Sequence, residues 1–137
     1  MSVPVPKRKP GELDVNTLAR VLCVYTLRIT GNEKNFPPNQ ASYSEIMRRT
    51  ALRIHVLCWR ANNIKVNGNA KRYRDRIEAQ AEAADLCNDL YAMIEVAKPL
   101  YHLSSRRCIY WQGLVVNVRN HIRGWYDSDV KRLKPEG

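Results

Sequence analysis

Apolar side chains recur every three or four residues through most of this chain, and that spacing limits the fold more than any other feature. Such a period is typical of α-helices with one buried stripe, whereas half-buried strands alternate with a period of two. Proline and glycine cluster in the first eleven residues and at 31–38, 67–69, 99 and 135–137. The sequence therefore predicts an all-α fold of four long helices joined by short turns, and an antiparallel up-and-down four-helix bundle is its common form.

The four helices are predicted over about residues 14–30, 39–65, 69–103 and 105–133. Pro99 lacks a backbone N–H and should kink or end the third helix. Residues 1–12 are predicted to be a flexible basic tail, so that the bundle occupies residues 13–134. Candidate helix caps are Asp14 or Asn16, Ser42 with Glu45, and Ser104 or Ser105.

One apolar stripe of each helix is predicted to face the bundle core. The four cysteines lie on or beside these stripes without any C-x-x-C pair, so core packing in a reducing compartment is favoured over zinc binding or disulfides. The cysteines are Cys23, Cys58, Cys87 and Cys108. The stripes are Leu18, Val21, Leu22, Tyr25 and Ile29; Ile46, Thr50, Ile54, Leu57 and Ala61; Tyr73, Ile77, Ala81, Ala84, Cys87, Tyr91 and Ile94; and Cys108, Trp111, Val115, Val118, Ile122 and Trp125.

The second helix carries further apolar residues away from its stripe. Leu52, Val56 and Trp59 follow one another at i, i+4 and i+7. An exposed tryptophan beside aliphatic residues often marks an interface, so these three are predicted to contact another subunit. The alternative is a second helix that is buried over a broad face.

Positive charge is the strongest functional signal. The chain has 23 Lys and Arg against 13 Asp and Glu, a net charge of +10. That surplus favours anionic partners, namely nucleic acid, an acidic protein face or anionic lipid. Arginine outnumbers lysine on the predicted helices, which favours RNA or DNA as the partner. The planar guanidinium group binds phosphate bidentately and stacks on bases.

Seven cations are predicted to form a basic face that contacts the nucleic-acid backbone and does not read sequence. Like charges at helical spacing repel mildly, so folding gains nothing from them without an opposing carboxylate or phosphate. A purely structural alternative pairs them with the acids of the third helix, Glu78, Glu82, Asp85, Asp89 and Glu95. The seven are Arg49, Arg53, Arg60, Arg119, Arg123, Lys131 and Arg132.

Catalytic and metal-binding motifs are missing from the sequence. His55, His102 and His121 are far apart and belong to no H-E-x-x-H or E-x-x-H motif, and no P-loop or G-x-S-x-G occurs. The sequence contains no run of about 18 apolar residues, so no transmembrane helix is predicted. We therefore expect no enzymatic activity, no cofactor, no metal and no membrane partner.

Four segments together resemble a known family: "SVPVPKRKPGELDVNTLARVLCVYTL", "NEKNFPP", "TALRIHVLCWRANNIKV" and "RRCIYWQGLVVNVRNHIRGWYDSDVKR". They are similar to the accessory variability determinant proteins of bacteria and phages, which are encoded beside reverse transcriptases in diversity-generating retroelements. The similarity extends to about Lys134. The wider family includes bundle proteins encoded in intervening sequences of 23S ribosomal RNA genes, and the opening, "LCWRANNIKV" and "SDVKR" favour the retroelement branch.

The resemblance implies a cytoplasmic, ring-shaped homopentamer with no chemistry of its own. Such a ring binds RNA or DNA and the retroelement reverse transcriptase, and supports mutagenic copying of a template RNA into cDNA. The matching positions are the arginines of the second and fourth helices. Asp85, Asp89 and Glu95 depart from a basic pattern, so a binding face centred on them is not expected. A structural homo-oligomeric adaptor without nucleic-acid binding remains the alternative.

Overall fold

The computed structural model describes residues 10–133, with side chains described from residue 15 onward. It contains four α-helices and no strand within that range: α1, Pro10–Thr30; α2, Ala41–Asn62; α3, Ala70–Leu100; and α4, Ser105–Leu133. A short 3-10 turn, Pro38–Gln40, leads into α2. Each helix packs against the next, and α4 returns to pack against α1. The predicted all-α four-helix bundle is confirmed, with α2 and α4 on one diagonal and α1 and α3 on the other.

Side-chain hydrogen bonds between neighbouring helices show that the helices run antiparallel. In each case a residue near the start of one helix meets a residue near the end of its neighbour. The bonds are Arg48 Nη1 to the Leu27 carbonyl, 3.0 Å; Tyr43 Oη to the Met93 carbonyl, 2.7 Å; Arg76 Nε to Asp129 Oδ2, 2.7 Å; and Trp111 Nε1 to Thr26 Oγ1, 2.9 Å.

The helix ends agree in part with the predicted caps. Ser104 Oγ accepts a hydrogen bond from the Arg107 backbone N–H at 3.1 Å, which confirms Ser104 as the cap of α4. The Ser42–Glu45 capping box is not formed, because the cap position of α2 is Gln40 and makes no side-chain bond there. α3 ends at Leu100, one residue after Pro99, as expected from the donor that proline lacks.

The start of α1 corrects two predictions. Because the helix begins at Pro10, Asp14 and Asn16 lie within it and do not cap it. Of the predicted tail, residues 10–12 belong to α1 and residues 1–9 lie outside the described residues. Lys134, the predicted end of the bundle, also lies outside them.

The core confirms the predicted stripe of α4 completely, since all six of its residues are buried. On α2 the prediction was wrong for Ile46, which is 48% exposed, while its neighbour Met47 is fully buried. On α1, Leu22 and Ile29 are buried, but Val21 is exposed. In both helices the buried face is shifted from the predicted stripe, because small residues such as Ala19 and Ala51 are buried at the helix contacts in place of larger apolar residues.

α3 shows the largest difference from its predicted stripe. Cys87 and Ile94 are buried as predicted, whereas Tyr73, Ile77, Ala81, Ala84 and Tyr91 are only half-buried. The buried face is rotated by about one position and comprises Arg76, Ala79, Gln80, Ala83, Cys87, Leu90, Ile94 and Ala97. It includes two polar residues because Asp129 satisfies them inside the bundle, an effect that no hydropathy pattern reveals.

The cysteines pack in the core as predicted. All four are buried free thiols. Burial raises the pKa of Cys58 and Cys87 to about 12. At neutral pH both remain protonated and act as small apolar side chains.

Candidate nucleic-acid interface

The predicted cations fall into two groups that the fold keeps apart. Arg49, Arg53 and Arg60 lie on α2, and the other four lie on α4. Because α2 and α4 are diagonal partners, with α1 and α3 between them, the two groups cannot merge into one continuous face on a single chain.

The α2 group is partly matched by carboxylates. Arg49 Nε lies 3.7 Å from Glu45 Oε2, one turn earlier in the helix. Arg53 Nη2 lies 3.3 Å from Glu82 Oε2 on α3. Arg60 has no carboxylate within 4 Å among the described residues. Such exposed pairs contribute at most about 1 kcal/mol each, so they reduce the local positive potential without holding the side chains firmly.

The acids of α3 lie beside this group. Glu78, Glu82, Asp85 and Asp89 follow one another at i, i+4, i+7 and i+11, and all four are exposed. Helical geometry places them on one side of α3, and the Arg53–Glu82 pair identifies that side as the one next to α2. The groove between α2 and α3 therefore carries mixed charge.

Arg119 and Arg123 of α4 have no carboxylate within 4 Å among residues 15–133. Arg119 is half-buried and donates to Asn88 Oδ1 at 3.1 Å and to Asn120 Oδ1 at 3.4 Å. Its Nε is buried and bonds to no protein group. Arg123 is exposed, and Asp127, one turn later on α4, does not form an ion pair with it. Within the described chain, neither guanidinium group is neutralised by a carboxylate.

The two cations at the end of α4 differ from each other. Arg132 Nη1 lies 3.2 Å from Asp129 Oδ1, whereas Lys131 is exposed and meets no carboxylate within 4 Å in the described part of the chain. Of the seven predicted cations, three are thus paired, and four are not: Arg60, Arg119, Arg123 and Lys131.

A buried ion pair was not foreseen from the sequence. Arg76 Nε and Nη2 donate to the two carboxylate oxygens of Asp129 at 2.7 and 2.6 Å, and Gln80 Nε2 adds a third bond at 2.7 Å. The guanidinium of Arg76 lies 5.5 Å from the ring centre of Tyr73 and 5.6 Å from that of Trp125. This cluster fixes the start of α3 against the end of α4. The charges of Arg76 and Asp129 neutralise each other inside the bundle, so Arg76 adds little to the positive surface.

The predicted contact residues of α2 are uncovered in the single chain. Trp59 is 58% exposed and Leu52 48% exposed, while Val56 is half-buried. The alternative of a broadly buried second helix is therefore wrong for Leu52 and Trp59.

Further cations around the start of α4 were missed. Arg28, Arg106 and Arg107 are exposed or half-buried and have no carboxylate within 4 Å in the described region. A signal was available, because neither residues 15–30 nor residues 105–126 contain any aspartate or glutamate.

The three histidines lie on different elements: His55 on α2, His102 between α3 and α4, and His121 on α4. His121 Nδ1 lies 2.8 Å from the Asn117 carbonyl. Burial, aided by the positive charge of Arg20, lowers the pKa of His55. No three His, Cys, Asp or Glu side chains within residues 15–133 come together as a potential metal site.

Two further comparisons concern membrane-spanning helices and known proteins. None of the described helices combines the length and the hydropathy that a bilayer span requires. No protein-family model, curated protein or solved structure matches the chain.

Proposed function

We propose that this protein is a non-catalytic accessory factor of a diversity-generating retroelement. In this role it binds template RNA or its cDNA together with the partner reverse transcriptase, and it supports mutagenic retrohoming. The observation that carries the proposal is the set of exposed or half-buried arginines without a carboxylate within 4 Å in the described chain, above all Arg119 and Arg123. The retroelement itself comes from the resemblance described above.

The physical argument concerns what the unmatched charge can do. Each cation that approaches a phosphate releases a condensed counterion, so the affinity for nucleic acid falls as salt rises. Arginine adds bidentate hydrogen bonds to phosphate oxygens. Contacts of this kind set affinity without sequence preference, which suits a factor that acts along the whole length of a template.

The proposal is tested by titrating the protein with labelled RNA at about 50 and about 200 mM salt. Phosphate contacts weaken markedly between these two concentrations. We expect binding whose logarithmic affinity falls linearly with the logarithm of salt concentration. A pull-down with the reverse transcriptase encoded beside the gene tests the second partner. No binding of RNA or DNA at low salt would reject the nucleic-acid role.

The proposed assembly is a homopentameric ring, with Leu52, Val56 and Trp59 at the contact between subunits. Exposed apolar area around a tryptophan supports this part, because such area is costly in water. Native mass spectrometry at micromolar concentration should give a pentamer. Leu52→Ser with Trp59→Ser should shift it toward monomers, whereas Val96→Ser, an exposed apolar site on α3, serves as the control. A monomeric wild-type protein would contradict the ring.

A structural homo-oligomeric adaptor without nucleic-acid binding is the second candidate. It is favoured by the mixed-charge groove between α2 and α3, where Arg53 already meets Glu82. An adaptor would form the ring and bind no RNA at either salt concentration, so the same two measurements separate the candidates.

A further inference from the structure

The start of α4 combines three features that occur together nowhere else in the described residues: cations without carboxylates, an exposed aromatic ring and a helix end unsuited to positive charge. Arg106 and Arg107 occupy the first turn of α4, and no acid lies in that turn. Two cations at the N-terminal end of a helix oppose its dipole and destabilise that end. Folding therefore gives no reason for these two arginines.

Neighbouring helices add to the charge of this region. α1 runs antiparallel to α4, and the rings of Tyr25 and Tyr110 meet with centroids 5.1 Å apart. Arg28 lies one turn after Tyr25 and Arg107 lies one turn before Tyr110, so the antiparallel packing places both arginines at the same end of this helix pair. Arg107 is close enough to Tyr25 to counteract part of the rise in pKa that burial imposes on that hydroxyl group.

Lys98, near the end of α3, contributes to the same region. Burial raises the pKa of the Cys108 thiol, and the positive charges of Lys98 and Arg107 both oppose that rise, so both cations lie near this cysteine. The nearest acids in the sequence, Glu33 and Glu95, are exposed, and neither lies within 4 Å of a cation in the described chain.

Tyr110 supplies an aromatic surface within this charge. Its side chain is 55% exposed, and Tyr25 packs against it at an interplanar angle of 67°. An exposed, supported ring next to arginines is the arrangement that binds single-stranded nucleic acid, since every base has a face that can stack and every nucleotide brings a phosphate.

We propose that single-stranded nucleic acid crosses the start of α4, with its phosphates on Arg28, Arg106 and Arg107 and a base stacked on Tyr110. This inference rests on the proposed nucleic-acid role and deepens it. It moves the main contact away from the arginines of α2, whose charge the acids of α3 partly offset, and it specifies single strands over duplexes. A retroelement factor that accompanies template and cDNA would meet both forms, and a stacking residue would distinguish them.

The test for charge uses fluorescence anisotropy of the full chain with a labelled single-stranded RNA. Arg106→Gln with Arg107→Gln should weaken binding roughly tenfold and lower the logarithmic salt slope by about 1.4, which corresponds to two lost phosphate contacts. Arg72→Gln with Arg74→Gln removes the same charge from the first turns of α3, at the other end of the bundle. The loss of RNA affinity from this control pair should be less than a third of the loss from the α4 pair. The α2 pair Arg49→Gln with Arg60→Gln should also have the smaller effect.

The stability of the same variants provides an independent readout. Removing two cations from the N-terminal end of α4 should leave the melting temperature unchanged or raise it. A purely structural role for Arg106 and Arg107 predicts a lower melting temperature.

The test for stacking compares the single strand with its duplex. Tyr110→Ala should weaken single-strand binding roughly tenfold and leave duplex binding unchanged, while Tyr110→Phe retains both because the ring remains. Equal losses for strand and duplex, or a larger loss from the α2 pair than from the α4 pair, would overturn the inference and leave the nucleic-acid role standing. Competition by polyglutamate as effective as RNA would reassign the site to an acidic protein. Absence of any RNA binding would remove the proposed function together with the inference.

Discussion

Arginines occur in two different environments along the groove where α3 packs against α4. At one end Arg76 is buried and bonded to both oxygens of Asp129 within 2.7 Å. Near the middle, Arg119 meets two amide side chains, and Arg123 meets no carboxylate within 4 Å in the described chain. In this groove the buried arginine is paired with a carboxylate, and within the described residues the two less buried arginines are not.

This difference separates structural from functional charge. A buried charge must be paired because desolvation without a partner costs several kcal/mol. An exposed arginine faces no such requirement, and a nearby carboxylate would change stability by less than about 1 kcal/mol. Pairing of these less buried arginines would therefore add little to the stability of the fold, so their charge remains available to an anionic partner.

The largest effect is expected from Asp129→Ala. This change leaves Arg76 buried beside Trp125 without its counter-charge, and it should lower the free energy of unfolding by about 3–5 kcal/mol. Urea unfolding followed by circular dichroism measures the loss. Asp127→Ala, an exposed acid two residues away on α4, should stay within about 0.5 kcal/mol of the wild type. Equal losses from the two variants would abolish the distinction between the environments.

Charge reversal in the middle of the groove should act on binding and not on folding. Arg119→Glu with Arg123→Glu should retain the helical content, weaken RNA binding at least about tenfold and make its salt dependence shallower. Anisotropy titrations at several salt concentrations measure both quantities. An unchanged affinity with an unchanged salt slope would show that these two arginines do not contact RNA.

Replacing the buried pair as a unit should be far less harmful than breaking it. Arg76→Met with Gln80→Leu and Asp129→Leu removes both charges and the buried amide that depends on Asp129 while keeping apolar volume, so stability should remain within about 1 kcal/mol of the wild type. A loss as large as that of Asp129→Ala would mean that the polar cluster contributes more than charge neutrality. The same urea experiment provides the comparison.

The smallest effect is expected from Asn88→Ala. This change removes the 3.1 Å hydrogen bond to Arg119 and should alter stability by less than about 0.5 kcal/mol, because both groups reach water. RNA affinity should stay the same or rise as Arg119 becomes free to move. Loss of binding without loss of stability would make Asn88 a contact residue in its own right.

The sequence predicted the helical regions well, and it predicted the core best where apolar residues alone form the buried face. On α4 all six predicted residues are buried, because large apolar side chains recur there at the right spacing. On α3 the same reasoning chose the wrong face, since short alanines gave a weak pattern and the buried face includes the polar residues Arg76 and Gln80. Their burial depends on Asp129, which lies 53 residues from Arg76 and beyond the reach of a local pattern.

The candidate site also depends partly on the sequence alone and partly on the tertiary structure. The net charge of +10 and the run of residues 105–126 without an acid are properties of the sequence alone, and they establish that positive charge is in excess. Which cations remain unpaired is a property of the tertiary structure, because neutralisation depends on side chains brought within about 4 Å by helix packing. Packing brought Arg53 next to Glu82 and buried Arg76 beside Asp129. It placed no carboxylate of the described residues within 4 Å of the arginines at the start of α4. Composition determined the amount of charge, and the distances between helices determined where that charge is available.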